Sequence, residues 1–187
     1  MVQEAVASLG SAGAEQQMSG VMTNIIPRQG GNMFSGLGYF HYTNEHFSGD
    51  NVPDALKASG LGAAGQIRSS WDINPALGGP ILRDKLWFFG SYRHWGDETD
   101  GGVHYNLTPT AFVYTPDLSR PTAATRFSYR NQSARLTWQA SQRNQFSVFF
   151  DNNPRWWYNR RVAPTVPPEA STYTPYYPNY LDRKSVV

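Results

Sequence analysis

The spacing of the strand-like segments is the feature that most constrains the fold. Five such segments follow one another in Met33–Asn153, and the connectors between and after them alternate long and short. The long connectors are 44–69, 97–125 and 154–180, and the short ones are the turns Arg83–Lys85 and Ser141–Asn144. Outer-membrane barrels show this alternation, because their periplasmic turns are short and their outer loops are long. The segments are also long enough to cross a bilayer, which takes roughly 9 to 11 tilted residues. The pattern therefore predicts part of an antiparallel transmembrane β-barrel of about five to six strands.

The last two of these segments each have an apolar and a polar face. Apolar residues fall at every second position in Asn131–Ala140 and again in Gln145–Asn153. They are Ala134, Leu136, Trp138 and Ala140 in the first segment, and Phe146, Val148 and Phe150 in the second. This alternation predicts one face toward lipid and one toward the barrel lumen. Phe127 and Tyr129 have the opposite parity, which leaves two explanations open: a bulge near Arg130, or two rings beyond the membrane band.

The composition favours strands and turns. The chain has 6 Trp, 11 Tyr and 10 Phe together with 17 Gly and 13 Pro, so it predicts an all-β fold. The absence of Cys excludes disulfides and thiolate metal sites, and a net charge of +2 gives no basis for nucleic-acid binding. The opening MVQEAVASLG lacks the basic region and apolar core of a signal peptide, and the final DRKSVV has the pattern of a strand that is just beginning. We therefore expect the sequence to be a fragment of a longer protein.

Three stretches carry a family resemblance, and they occur in the order that the family has. The hairpin GGPILRDKLWFFGSYR, Gly78–Arg93, resembles the beginning of the barrel in TonB-dependent outer-membrane receptors, especially the large type with an N-terminal carboxypeptidase-regulatory-like domain. The run GVMTNIIPRQGGNMFSG, Gly20–Gly36, is similar to the family's passage from the plug domain into the first barrel strand. A later barrel hairpin is similar to RLTWQASQRNQFSVFFD, Arg135–Asp151.

The resemblance implies two domains. Residues 1–31 would be the C-terminal end of the plug, the domain that fills the barrel, and residues 32–187 the first barrel strands with long extracellular loops. The implied plug–barrel junction consists of Asn24, Gly30, Gly31, Asn32 and Gly36, and the implied barrel motif of Gly78, Gly79, Pro80, Phe88 and Phe89. Without the resemblance, residues 1–31 are compatible with an ordinary β-hairpin that has a glycine turn.

The function implied by the resemblance is energised uptake of a scarce ligand across the outer membrane. The implied partners are outer-membrane lipid, a small-molecule or oligosaccharide ligand such as a siderophore, and an inner-membrane TonB complex that pulls on an N-terminal segment absent from this sequence. Two other classes stay open. One is a passive outer-membrane porin or adhesin, and the other is a secreted glycan-binding β domain.

No motif indicates an enzyme, a cofactor or a metal site. The sequence has no GxSxG or GxxxxGK[ST] element, and its histidines, His41, His46, His94 and His104, lack HxxH or HExxH spacing. An acidic cluster of Asp97, Glu98 and Asp100 could bind a divalent cation, although a solvated loop end is the more ordinary explanation.

Aromatic residues are concentrated in the third long connector. Trp156, Trp157 and Tyr158 follow an outward strand, and Tyr173, Tyr176, Tyr177 and Tyr180 precede the next one. They could form the interfacial girdle of a barrel, or some could stack on a sugar or aromatic ligand. The neighbouring Arg155, Arg160 and Arg161 could face lipopolysaccharide phosphates or an anionic ligand, or lie in a solvated loop.

Overall fold

The chain forms two separate antiparallel sheets. The computed structural model describes residues 2–8, 22–47, 49, 53, 66–163 and 165–186, and it describes only the backbone of 2–8, 22–27 and 183–186. The first sheet pairs β1 (Val2–Ser8) with β2 (Met22–Pro27), and its register sets Val6 opposite Asn24. A β-hairpin was one interpretation of residues 1–31, and the residues between these two strands lie outside the described part of the chain.

In the described residues, the second sheet contains ten strands, which make up six segments that each run along the sheet from one end to the other. Segments 1 and 2 are each interrupted once: β3 (Ser35–Leu37) with β4 (Phe40–Asn44), then β5 (Ile67–Ile73) with β6 (Ala76–Leu82). Segments 3 and 4 are the single strands β7 (Leu86–Asp100) and β8 (Ala124–Gln139). Segments 5 and 6 are β9 (Gln145–Asn152) with β10 (Arg155–Arg160), and β11 (Thr172–Tyr176) with β12 (Asn179–Val186).

Each segment pairs antiparallel with the next, so the sheet is an up-and-down meander. This confirms the predicted all-β antiparallel architecture. Segments 1 and 6 form the edges of the sheet, which does not close on itself within the part of the chain that is described. An open sheet is what a fragment provides, because the smallest membrane barrels use about eight strands to close.

The short turns and the long connectors lie at opposite ends of the sheet. The strand ends joined by turns 83–85 and 140–144 are at one end, and the strand ends joined by connectors 45–66, 101–123 and 161–171 are at the other. The third connector is much shorter than predicted, because β10 and β11 lie within 154–180 and leave only 161–171 between them. Proline-rich and tyrosine-rich sequence without clean alternation concealed these strands, whose aromatic residues favour strand conformation. Short 3-10 turns occur at Glu45–Phe47 and Pro168–Ala170, and no described helix is long and apolar enough to cross a membrane.

The two faces of the sheet differ in the half that is nearest the short turns. Cross-strand pairing places large apolar side chains on one face, here called the belt face, and most of them are exposed. They form an apolar belt of Leu86, Phe88, Leu136, Trp138, Phe146, Val148, Phe150 and Leu181. The alternation predicted for β8 and β9 is therefore present in the structure.

The opposite face, here called the linker face, is mostly polar in the same half. Cross-strand pairs bring Ser91 opposite Ser133, with 2.6 Å between their hydroxyl oxygens, and Thr137 opposite Ser147. Thr137 is only 2% exposed, and Phe89 on the same face is 5% exposed. The register between β7 and β8 has no shift, which excludes the bulge near Arg130. Phe127 and Tyr129 thus belong to the linker face, beyond its polar rows.

Candidate functional site

The linker between β2 and β3, residues 28–34, is fixed to the hairpin turn between β6 and β7 by one side chain. Asn32 Oδ1 accepts hydrogen bonds from the backbone N–H of Asp84 at 2.9 Å and from Trp87 Nε1 at 2.7 Å. Asn32 Nδ2 donates to Asp84 Oδ1 at 2.5 Å. Asp84 has a φ of 60°, a left-handed conformation that an Asp tolerates in a tight turn. The hydrogen bonds of the Asn32 side chain therefore hold the linker against this turn.

The linker approaches β6 and β7 too closely for a side chain at Gly30. A Cβ at Gly30 would lie 2.2 Å from the carbonyl oxygen of Phe88 and 3.1 Å from that of Gly79. On the belt face, by contrast, Gly79 makes room for the ring of Phe34, which a Cβ there would approach to 2.3 Å and which lies 6.3 Å from the ring of Phe88. Backbone atoms cannot move aside as a flexible side chain can, so Gly30 is required by the close approach.

Two residues of the GGP motif, Gly78 and Pro80, belong to the linker face. A Cβ at Gly78 would lie 2.8 Å from the ring of Phe89, which packs against this glycine, and Pro80 is paired with Trp87. A cavity of about 230 Å³ lies between the linker and the sheet. It is lined by Gln29, Gly30, Gly31, Asn32, Trp87, Thr137 and Gln145. Trp87, Asp84 and Thr137 complete this site, and only the structure shows that they belong to it.

Most of the residues that the resemblance implied for the junction and the motif come together here. Gly31 has open space around it, and Gly36 lies in β3 opposite Leu77. Asn24 is in β2, where only the backbone is described, and its role stays a prediction. The structure also shows on which side of the sheet the linker lies: it covers the linker face at Trp87, Thr137 and Gln145.

In the half nearest the long connectors, the belt face carries a basic and aromatic groove. A volume of about 280 Å³ is lined by His94, Arg126, Ser128, Arg130, Trp156 and Tyr158. Arg130 stacks over Trp156 with its guanidinium carbon 5.0 Å from the ring centroid, and Arg126 lies 5.6 Å over Trp71. A second volume of about 380 Å³ adjoins it, shares Arg126 and Tyr158, and extends toward Arg68 and Arg120.

In the same half, the linker face carries a row of rings across three strands. Ring centroids of Trp95 and Phe127 are 5.0 Å apart, those of Phe127 and Trp157 are 5.2 Å apart, and Trp95 lies 5.7 Å from Tyr129. Arg160 stacks over Trp157 at 4.6 Å. Adjacent strand residues point to opposite faces, so Trp156, Trp157 and Tyr158 do not form one cluster as the sequence suggested. Trp157 belongs to the linker face and its two neighbours belong to the belt face.

Arg155 is also turned away from the belt face. It is paired with Tyr129 and Tyr176 across the strands, and its guanidinium carbon lies 4.5 Å over the Tyr176 ring. On the same face, Arg93 forms an ion pair with Asp72 at 2.7 Å and lies 5.4 Å over Trp95. Arginine and aromatic side chains therefore alternate across this part of the linker face.

Strand alternation divides the acidic cluster of β7, with Asp97 on the linker face and Glu98 and Asp100 on the belt face. Asp100 accepts hydrogen bonds from Arg68 at 2.7 Å, from Thr122 Oγ1 at 2.6 Å and from the Gly102 N–H at 2.7 Å. These contacts fasten the base of connector 101–123. Glu98 lies 4.0 Å from Arg68. Among the residues that the structure describes, no group of three His, Asp or Glu side chains is placed to hold a metal ion.

Connector 101–123 has its own internal order. Asn106 and Pro116 form an isolated bridge, and Arg120 stacks over Tyr105 at 4.1 Å. Within this connector, the hydrogen bond from the Ser119 hydroxyl lowers the pKa of the Asp117 carboxyl. The connector is thus a structured loop at the end of β7 and β8.

Comparison with known proteins decides the family. Residues 26–183 match the model of the outer membrane beta barrel domain. The chain belongs to this outer-membrane β-barrel family. A stretch of 74 residues, 40% of the chain, is 31% identical to the TonB-dependent transporter Oar of Myxococcus xanthus. The chain spans only 7% of the length of that relative. No solved structure matches the chain.

Membership in the β-barrel family assigns the two faces and the location. The protein is an outer-membrane protein. Barrels of this kind present apolar residues to lipid and polar residues to the lumen, so the belt face is the outer wall and the linker face lines the lumen. Short turns are periplasmic and long connectors extracellular in such barrels. The linker lies on this lumen-lining face, at the end of the sheet that carries the short turns.

Proposed function

We propose that the chain is the end of the plug and the first barrel segments of a TonB-dependent transporter, which takes up a scarce ligand by energised transport. The docking of the linker on the lumen side supports this proposal. Residues that precede a barrel and enter its lumen are expected of a plugged transporter. An open porin has no reason to anchor a preceding segment at this place.

The proposed role of the linker is to hold the plug to the barrel during transport. A pull by an inner-membrane TonB complex on a more N-terminal part of the parent protein would be transmitted through β1 and β2. Asn32 fixes the chain to the turn at Asp84 and Gly30 packs against Phe88, so displacement would stop at the linker while the barrel wall stays in place. Because the Asn32 side chain is exposed, its hydrogen bonds together contribute about 1 kcal/mol.

The aromatic row on the linker face is the proposed ligand-facing surface of this fragment. Trp95, Phe127 and Trp157 lie toward the extracellular end of the lumen, and Arg155 and Arg160 are beside them. Rings of this size stack on sugars and on aromatic ligands, and guanidiniums pair with carboxylates and other anions. The row fits an oligosaccharide or an anionic siderophore, the two ligand classes that the resemblance implies.

A conductance measurement tests whether the barrel is plugged. The intact parent protein and a variant that lacks everything before Arg28 are inserted into planar bilayers in KCl. We expect the intact protein to be closed and the truncated barrel to conduct, because removal of the plug leaves an aqueous lumen. A passive porin would conduct in both forms, and an adhesin with a filled barrel would conduct in neither.

An uptake measurement tests the energised step. Cells with and without the parent gene receive a panel of labelled iron chelates and oligosaccharides, with and without a protonophore. A transporter coupled to TonB accumulates one of them only in the absence of the protonophore. Gene-dependent entry that the protonophore does not affect would favour the porin, and glycan binding by a form released into the medium would favour a secreted glycan-binding β domain.

A further inference from the structure

The outer wall changes its chemistry where the apolar belt ends. Along β8 the belt face runs from Trp138 and Leu136 through Ala134 and Gln132 to Arg130 and Arg126. His94 on β7 is paired with Arg130, and its Nε2 lies 3.2 Å from the Ser128 hydroxyl. Two arginines and a histidine therefore lie on the same face as the apolar belt, beyond the end of that belt.

The height of these cations above the belt can be worked out from strand geometry. An antiparallel strand rises about 3.4 Å per residue, and barrel strands tilt by about 40°. Arg130 and Arg126 are therefore roughly 21 and 31 Å above the row of Trp138. The apolar band of a barrel is about 25 Å tall. With the row of Trp138, next to the short turns, at the periplasmic edge of this band, the two arginines lie on either side of its extracellular boundary. That boundary is where the headgroups of the outer leaflet lie.

In the part of the chain that the structure describes, no acidic side chain forms an ion pair with these two arginines. Both are exposed, and their contacts are the rings of Trp71 and Trp156. Glu98 is directly opposite Arg126 in the register, but it lies beside Arg68 instead. Within the residues described, no carboxylate is within 4 Å of the guanidinium of Arg126 or Arg130. The rings orient the guanidiniums and leave their N–H groups available to an external anion.

We propose that this groove binds the phosphate groups of an outer-leaflet glycolipid. Arg126 and Arg130 would donate paired hydrogen bonds to phosphate oxygens, a geometry to which guanidinium is suited. Trp156 and Tyr158 would pack against the boundary between sugar and acyl chains, where amphipathic rings are favoured. The membrane is the source of the anion because the groove opens on the lipid side of the wall. A soluble ligand in the lumen meets the linker face instead.

This site differs from the one suggested by sequence alone. Arg155 was a candidate for lipopolysaccharide phosphates, yet its guanidinium stacks on Tyr176 at the linker face, and that of Arg160 stacks on Trp157. The cations that face the outer leaflet are on β8, in a stretch where parity alone could not assign them. The inference depends on the outward direction of the belt face and not on energised transport.

The test is a binding measurement on the intact parent protein, purified from outer membranes and stripped of lipid in detergent. Three probes are titrated: a diphosphorylated glycolipid of the outer leaflet, the same glycolipid after removal of its phosphates, and inorganic phosphate. The double variant R126Q/R130Q is compared with R83Q/R143Q, which loses the same charge at the periplasmic turns. R126K/R130K keeps the charge and loses the planar fork. Heat-modifiable gel mobility shows that each variant is folded.

We expect the wild-type protein and R83Q/R143Q to bind the diphosphorylated glycolipid alone. R126Q/R130Q should bind it about tenfold or more weakly, since charged hydrogen bonds of this kind are worth about that factor, and the lysine variant should fall between. Equal affinity in R126Q/R130Q and R83Q/R143Q would overturn the proposal. Equal binding of the dephosphorylated glycolipid, or of inorganic phosphate, would overturn it as well.

Discussion

The two halves of the sheet differ in how polar and apolar side chains are divided between its faces, although the same strands run through both. In the half nearest the periplasmic turns, the belt face is apolar and the linker face is polar. In the half nearest the connectors, the belt face carries Arg126 and Arg130, while the linker face carries Trp95, Phe127 and Trp157. On the belt face, the change from apolar to polar side chains occurs at the row of Tyr92 and Gln132. The type of side chain at a position in a barrel strand thus depends on its height along the strand as well as on the face to which it points.

The largest expected effect of breaking this difference is at the belt. Val148→Arg places a cation in the apolar band, where it costs about 2–4 kcal/mol near the midplane. Ser147→Arg, one residue away, puts the same side chain on the linker face and should cost much less. The measurement is the fraction of the parent protein that shows heat-modifiable mobility in outer membranes. Equal losses for the two variants would contradict the assignment of the faces.

The same substitution in the other half sharpens the comparison. Tyr158→Arg lies on the belt face as Val148 does, but near the extracellular boundary. A lipid-facing Arg costs only about 0–1 kcal/mol there, so assembly should stay close to that of the wild type. A defect as large as that of Val148→Arg would mean that the lipid band extends over both halves.

A middle-sized effect is expected where the linker meets the periplasmic half. Gly30→Ala brings a Cβ against the carbonyl oxygen of Phe88, whereas Gly31→Ala enters open space. Overpacking of this kind costs about 1–3 kcal/mol. The linker should undock more often, and trypsin should cleave after the exposed Arg28 about 5 to 150 times faster. Equal cleavage rates in the two variants would show that Gly30 is not closely packed.

The smallest effect is expected for the hydrogen bonds of the same linker. Asn32→Ala removes its contacts with Asp84 and Trp87, and because this side chain is exposed the loss should be about 1 kcal/mol. Cleavage after Arg28 should accelerate about fivefold. Met33→Ala, at a side chain that is 82% exposed, is the control. A rate for Asn32→Ala that matches the control would remove the anchor from the account.

The periplasmic half could be predicted from sequence, and the extracellular half only in part. In β8 and β9 the apolar residues Leu136 and Val148 alternate with polar ones, so face and strand follow from parity alone. In β10 and β11 both faces carry rings, because one meets the interface and the other the lumen, and the strands were mistaken for a connector. Height along the strand, which decides this, is not visible until the register is known.

The junction shows a second limit of sequence reasoning. Gly30, Asn32 and the GGP motif could be named from the resemblance, but not what they contact. Asp84 and Trp87 are about fifty residues further along the chain, and their contacts with Asn32 depend on the turn geometry at Asp84. Thr137 joins them through the pairing of β8 with β7. Pairings over such distances leave no local pattern.

Thiol labelling on whole cells tests the central claim most directly, namely that the sheet crosses the outer membrane with its short turns inside. Single cysteines are placed in the parent protein at Leu118 or Ala170 in the connectors, and at Asp84 or Arg143 in the turns. We expect an impermeant maleimide to label the two connector sites on intact cells and to label the two turn sites only after lysis. Labelling of Asp84→Cys and Arg143→Cys on intact cells, at the rate of the connector sites, would contradict the account.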